Sequence, residues 1–196
     1  GNQINMVLNP APANSGIVFR KKINENKIAS ISASYENVKN TQLCTILSDN
    51  FGNTVSTVEH ILSALYAFDI DNIYIDLDSN EIPVYDGSSF DFVQQIKNCG
   101  FESQSHFKKF LKIKKNVEIR DGDKIARVSP YDGTLITAEI KYDHKLIGKQ
   151  SISIILNNEI YQSQICSART FGFLKDVDKL QRAGLALGGS LQNAIV

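Results

Sequence analysis

An excess charge of one sign, a long apolar run and a cysteine framework are all missing from this sequence of 196 residues. Its 21 basic and 21 acidic side chains leave no net charge, so its electrostatics make no case for a nucleic-acid partner. No apolar stretch approaches the roughly 20 residues that a membrane-spanning helix needs, and no basic-then-apolar leader opens the chain. Cys44, Cys99 and Cys166 are odd in number and lack CxxC spacing, which argues against a disulfide framework and a cysteine zinc knot. The expectation is a cytoplasmic protein with no integral membrane segment, built as one larger domain or two small ones. Gly1 is not an initiator methionine and the chain stops inside an apolar stretch, so both ends are expected to be cut.

What is present is alternation, punctuated by turn residues. Ile4 to Leu8 and Gly16 to Lys21 read as strands around a turn at Pro10 to Asn14, and Ile73-Tyr74-Ile75-Asp76-Leu77 as an alternating β-branched strand. Phe92, Val93 and Ile96 share one face of a helix over 90–98. After a polar linker at 102–109, strands are expected over 111–119, 124–129, 134–142 and 151–156, with turns at Asp121-Gly122 and Asp132-Gly133. Runs of strands followed by helices predict an α+β fold in two layered halves, residues 1–105 and 106–196, rather than a doubly wound parallel sheet.

The segment Ser56-Thr57-Val58-Glu59-His60 has two readings. Ser56-x-x-Glu59 is a capping box, with Glu59 folding back to the first amides of a helix. Equally, a carboxylate directly beside an imidazole at a helix start is what a metal ligand with an adjacent general base would look like. Val58, Ile61, Leu62 and Leu65 mark the buried stripe of that helix and leave His60 near its edge, where a lone histidine can also be a satisfied core residue.

Thr57-Val58-Glu59-His60, then Asp69 to Asn72, then Glu81-Ile82-Pro83-Val84-Tyr85-Asp86-Gly87-Ser88, resemble the zinc-dependent UDP-3-O-acyl-N-acetylglucosamine deacetylases of lipid A synthesis. Further blocks follow the family's order: Pro10-Ala11-Pro12-Ala13-Asn14-Ser15-Gly16, Ser167-Ala168-Arg169-Thr170-Phe171-Gly172-Phe173, and Gly184-Leu185-Ala186-Leu187-Gly188-Gly189-Ser190 with Asn193-Ala194-Ile195-Val196. The resemblance implies two similar α+β domains with the active site between them, the second incomplete here. It also implies that a first strand and a C-terminal part of the family pattern lie outside this sequence.

For the site, the resemblance implies one zinc ion (Zn2+), with His60 as a metal ligand and Glu59 as general base. The other histidine and aspartate ligands would come from a helical His-Lys-x-x-x-Asp motif beyond Val196. It makes Thr170 an oxyanion donor and Phe171 a substrate-facing ring, and puts Cys44 in the cleft. By the same resemblance Tyr142 would stack on uracil, and Lys124 and His144 would lie near the nucleotide pocket. Lys145 stands where the family commonly has proline, and Gln192 where it often has aspartate. The resemblance implies that residues 170–196 form a passage for the acyl chain, lined by Leu174, Val177, Ala186, Gly189, Ser190, Leu191 and Val196. The partner that the resemblance implies is a UDP-linked acylated amino sugar, deacetylated to a free amine and acetate.

Bland readings stand beside these. Thr170 is also a β-branched loop residue, Phe171 and Phe173 core rings, Tyr142 a strand end, Lys124 a hairpin tip, and Cys44 a small buried hydrophobe. His106 reads as a solvated linker histidine. Two other functions remain open: a non-catalytic module binding a nucleotide-sugar lipid, and a cysteine hydrolase using Cys44 or Cys166, for which neither thiol has a recognisable histidine partner.

Overall fold

A computed structural model describes residues 3–25, 27–182, 184 and 186–196. Leu185 of the closing block lies outside the described residues. The chain packs as two units, one formed by Gly1–His106 with Gln162–Val196 and the other by Phe107–Tyr161. Helices and several separate sheets make it an α+β protein, as the alternation of patterns predicts.

In the first unit, β1 (Met6–Pro10), β2 (Ile17–Asn24), β3 (Lys27–Ser32) and β7 (Ile73–Leu77) form a sheet in the order β1-β7-β2-β3. β7 runs antiparallel to β1 and parallel to β2. Pro10 is tolerated because β1 is an edge strand, where a missing N–H costs no ladder bond on the open side. The period of two holds along β7: Ile73, Ile75 and Leu77 are buried, while Tyr74 and Asp76 turn to the other face. There Arg20 meets Asp76 through Nε at 2.6 Å, and its guanidinium lies 4.2 Å from the Tyr74 ring centroid. A smaller antiparallel sheet holds β4 (Val38–Asn40), β5 (Ile46–Ser48) and β6 (Thr54–Ser56).

Two helices of this unit, α1 (Glu59–Ala67) and α2 (Phe90–Cys99), touch each other. Val58, Ile61, Ala64 and Leu65 beside α1, Phe92, Val93 and Ile96 of α2, and Phe19, Ile31 and Ile75 of the sheet are all buried and make the core. At roughly 1.5–3 kcal/mol for each fully buried large apolar side chain, this stripe, rather than helix propensity, holds α1 in place.

The second unit contains two hairpins. β8 (Val117–Asp121) pairs with β9 (Lys124–Val128), and β10 (Leu135–Lys141) with β11 (Lys149–Ile155). Gly122, at φ 59°, opens the two-residue loop of the first hairpin, a conformation glycine adopts without steric cost. The expected strand over 111–119 begins only at Val117, because the five residues of β9 pair with Val117–Asp121 and leave 111–116 no partner strand in the hairpin. A short helical turn, α3 (Asn158–Ile160), follows, and α4 (Leu174–Arg182) belongs to the first unit.

The packing differs from a division at residue 105 in one respect. Residues 162–196 group with the first unit, since their backbone is bonded to the loop before α2: Ser89 N–H donates to Cys166 O at 2.9 Å and Thr170 N–H to Gly87 O at 2.8 Å.

Candidate functional site

Glu59 opens α1, but not through a capping box. Ser56 is the last residue of β6, and its hydroxyl donates to Asn80 O at 3.0 Å. Val58 takes the N-cap position, and no side chain caps the helix there. The reason lies in the next loop: Ser56 N–H donates to Asn80 O, and Ile82 N–H to Ser56 O, so Ser56 is committed to a strand bridge with Glu81. Thr57, held at φ 62° with its hydroxyl on Glu81 Oε1 at 2.9 Å, then turns the chain into the helix. A β-branched residue in the left-handed region is strained, by about 1–3 kcal/mol, and such strain gathers at functional sites.

Freed from capping, the Glu59 carboxylate accepts the Thr45 backbone N–H at 3.0 Å. A carboxylate at the first turn is also favoured by the helix dipole. Thr45 follows Cys44, a half-buried free thiol reached through Leu43 at φ 69°. His60 is half-buried. Its carbonyl accepts two hydroxyls, Ser63 Oγ at 2.8 Å and Ser89 Oγ at 3.0 Å, which tie the first turn of α1 to the start of α2.

The loop at 86–89 is the hub of this unit. Ser88 N–H and Oγ both donate to Asp86 Oδ1, at 3.0 and 2.6 Å, and Ser88 is fully buried. Arg169 Nε donates to Asp86 O at 2.5 Å. Thr170 is held on both sides of its peptide unit, its N–H on Gly87 O and its carbonyl accepting Ile195 N–H at 3.0 Å, and its side chain is at the surface. Phe171 is also exposed and meets the Phe173 ring edge-on at 6.0 Å. At the start of the unit, Gly16 N–H donates to Asn72 Oδ1 at 3.0 Å. The sequence blocks at 10–16, 57–60, 69–72, 81–88, 167–173 and 193–196 therefore sit in one unit, and backbone and side-chain bonds link the first with the third, the second with the fourth, the fourth with the fifth, and the fifth with the last.

The remaining expected positions are placed as follows. Leu174, Ala186, Gly189, Ser190, Leu191 and Val196 are exposed and Val177 is half-buried, so 171–196 presents apolar side chains at the surface of the first unit. In the second unit, Lys124 begins β9 at the hairpin tip. Tyr142 and His144 lie in the loop from β10 to β11: Tyr142 N–H donates to Gly148 O at 2.9 Å, and His144 Nδ1 accepts Leu146 N–H at 3.3 Å. Sequence reasoning assigned no role to Thr45, Ser63, Ser89 or Arg169. Arg169 stood inside a quoted block without a function, and for the two serines no local signal existed.

A catalytic zinc takes three protein ligands and keeps an open position. Among the described residues no group of three or more His, Cys, Asp or Glu side chains is arranged to hold a metal ion. His60 directly follows the Thr45-anchored Glu59 on α1, and an imidazole is a donor type that zinc accepts. Burial pushes the Cys166 thiol above its ordinary range, opposite to what a nucleophilic cysteine needs. Among the described residues no helix is long and apolar enough to cross a membrane.

The family profile described as UDP-3-O-acyl N-acetylglycosamine deacetylase (LpxC) matches residues 1–196. The UDP-3-O-acyl-N-acetylglucosamine deacetylase of Idiomarina loihiensis is 45% identical over 198 residues, covering 100% of this chain and 64% of that protein. The proteins of the same name from Syntrophus aciditrophicus and Campylobacter jejuni subsp. jejuni serotype O:6 are 43% and 47% identical over 196 and 197 residues. Each covers 100% of this chain, and the chain covers 62% and 65% of them. The chain thus spans a little under two thirds of the length of the curated relatives it matches. With a profile that runs from its first residue to its last, and a site whose dispersed motifs fold into one bonded unit, the chain belongs to the UDP-3-O-acyl N-acetylglycosamine deacetylase family.

Proposed function

We propose that this chain is the larger part of a zinc-dependent deacetylase that removes the N-acetyl group of a UDP-3-O-acyl-N-acetylglucosamine in the cytoplasm, a step of lipid A synthesis. The observation that carries the reading is the Glu59 carboxylate, fixed by the Thr45 amide at 3.0 Å directly before His60 on α1, in a chain of this family. His60 would hold the metal, with further ligands from elsewhere in the intact protein. When bound, zinc supplies a nucleophilic water at neutral pH and polarises the amide carbonyl.

The chain's own residues do the rest. One Glu59 carboxylate oxygen is occupied by the Thr45 amide, which leaves the group oriented and its other oxygen able to take the proton of the attacking water. Thr170 Oγ1 donates to the oxyanion that develops on the acetyl carbonyl. A single preorganised donor of this kind contributes roughly 3 kcal/mol to transition-state stabilisation. Phe171 and Cys44 face the sugar and acetyl group. The apolar side chains of 174–196 take the acyl chain, at roughly 0.8 kcal/mol per buried methylene. Tyr142, Lys124 and His144 serve the nucleotide half, through stacking and cationic contact with the diphosphate.

The test uses the intact protein, metal content and turnover being measured separately. Glu59→Ala should retain stoichiometric zinc and lose most deacetylation, whereas His60→Ala should lose zinc as well. A Glu59 variant that turns over like wild type would remove it as the base. An intact protein that binds UDP but neither binds zinc nor releases acetate would establish the non-catalytic binding module instead.

A further inference from the structure

We propose that Arg169 is a positioning residue that couples occupation of the acyl-chain surface at 191–196 to the catalytic Thr170. The inference rests on the deacetylase reading and adds a residue and a route to it. Arg169 is half-buried, and its guanidinium donates to two backbone carbonyls far apart in the chain: Nε to Asp86 O at 2.5 Å, and Nη2 to Leu191 O at 3.1 Å. A planar guanidinium is suited to this, since its donors point along fixed, divergent directions and its charge strengthens both bonds.

The neighbouring residue threads the same two segments. Thr170 N–H is bonded to Gly87 O, Thr170 O to Ile195 N–H, and Gly172 N–H to Ile195 O at 2.9 Å. Three stretches, 86–87, 169–172 and 191–195, are thus laced together, with Arg169 clamping one side of the lacing and the Thr170 peptide forming the other. The approach is too close for a side chain in the middle: a β-carbon on Gly87 would lie 2.0 Å from Asn193 O and 3.2 Å from Thr170 Cγ2. Leu191, whose carbonyl the arginine holds, carries an exposed apolar side chain on the acyl-chain surface. A chain that settles on Leu191 and Val196 therefore acts on a segment bonded to the Thr170 backbone, and Arg169 transmits the seating. A short acyl group does not reach Leu191 and leaves the clamp unused.

The experiment is a kinetic comparison in the intact, zinc-loaded protein, on a long-acyl substrate and its short-acyl counterpart, for wild type, Arg169→Ala and Arg169→Lys. In Arg169→Ala the kcat on the long-acyl substrate should fall about tenfold to hundredfold, the range for loss of a charge-assisted hydrogen bond, with KM changed less than about threefold. The kcat on the short-acyl substrate should fall by a clearly smaller factor, because only the long chain draws on the seating that the clamp transmits, so the long-to-short ratio drops. Arg169→Lys, which keeps the charge and one donor, should recover part of the ratio. An unchanged ratio, or equal losses on both substrates, overturns the coupling.

Hydrogen exchange of the same variants supplies a readout free of turnover. At unchanged melting temperature, the amides of Thr170 and Ile195 should exchange faster together in Arg169→Ala. If Thr170 keeps its protection while Ile195 loses it, the coupling is wrong whatever the kinetics. Should Arg169→Ala not fold, the ratio and the exchange of Arg169→Lys decide. A wild-type protein inactive on both substrates would sink the deacetylase reading by itself, and exchange would still judge whether the two segments move as one.

Discussion

Gly87→Ala tests whether the lacing around Thr170 is as tight as its geometry implies. Gly87 is at φ 85°, so an alanine there pays backbone strain of about 1–2 kcal/mol before it touches anything. Its β-carbon would then stand 2.0 Å from Asn193 O and 2.8 Å from Asn193 C, both backbone atoms, so the 190–195 turn must retreat by more than an ångström. That turn is closed by Asn193 N–H and Ala194 N–H on Ser190 O, at 3.1 and 2.9 Å, and cannot retreat without loosening Ile195 N–H from Thr170 O. Overpacking of this kind costs about 1–3 kcal/mol, and each forfeited hydrogen bond about 1. Strain and overpacking together are about 2–5 kcal/mol if the contact is kept. If the turn swings clear, the loss falls to the strain plus the released bonds, about 2–3 kcal/mol. At roughly 2–4 °C per kcal/mol for a protein of this size, the melting temperature of the intact protein should drop by at least about 4 °C. Circular dichroism gives the shift, and hydrogen exchange at Thr170, Gly172 and Ile195 distinguishes the two routes. A variant that melts within a degree of wild type with those amides still protected would refute the close approach.

Two further outcomes follow from titrating groups. Hydrogen bonds from the Asn53 side chain hold the Asp49 carboxyl below its usual range, and those from the Asn5 side chain and backbone do the same for Asp78. A carboxyl lowered on folding contributes stability that is present above its unfolded value and lost as pH falls through the folded one. Denaturation midpoints should therefore be flat near neutrality and decline below about pH 4, and Asp49→Asn with Asp78→Asn should make the decline shallower. An acid limb that is unchanged in the double variant would count against both. Alkylation with iodoacetamide, followed by peptide mass spectrometry, should label exposed Cys99 well before Cys166, which is buried and bonded to Gln162 O at 3.1 Å. Rapid modification of Cys166 in the native protein would reopen the cysteine-hydrolase alternative.

Much of the fold was legible because it is local. Alternation in Ile73–Leu77 declared which face of β7 is buried, the 3.6 period declared α2, and Asp121-Gly122 marked the first hairpin turn, although its centre is Gly122-Asp123. The motif blocks likewise identified the family before any geometry was known, because their order along the chain is itself specific.

What the residues determined by themselves was the strands β1, β2 and β7, the helices α1 and α2 and the hairpin strands of the second unit, but not β3 to β6 or α4, that a carboxylate and an imidazole open α1, and to which family they belong. Only the tertiary structure decided what those groups bond to. Ser56 became a strand residue rather than a cap because Asn80 and Ile82, 24 and 26 positions on, offered its backbone partners, which freed Glu59 for the Thr45 amide. Thr170 was joined to Gly87, and Arg169 to Asp86, across 83 positions. Periodicity and turn chemistry report on the backbone within a few residues. Hydrogen-bond partners at such separations are chosen by how the sheet, the helices and the last segment pack, and no window of the sequence contains that choice.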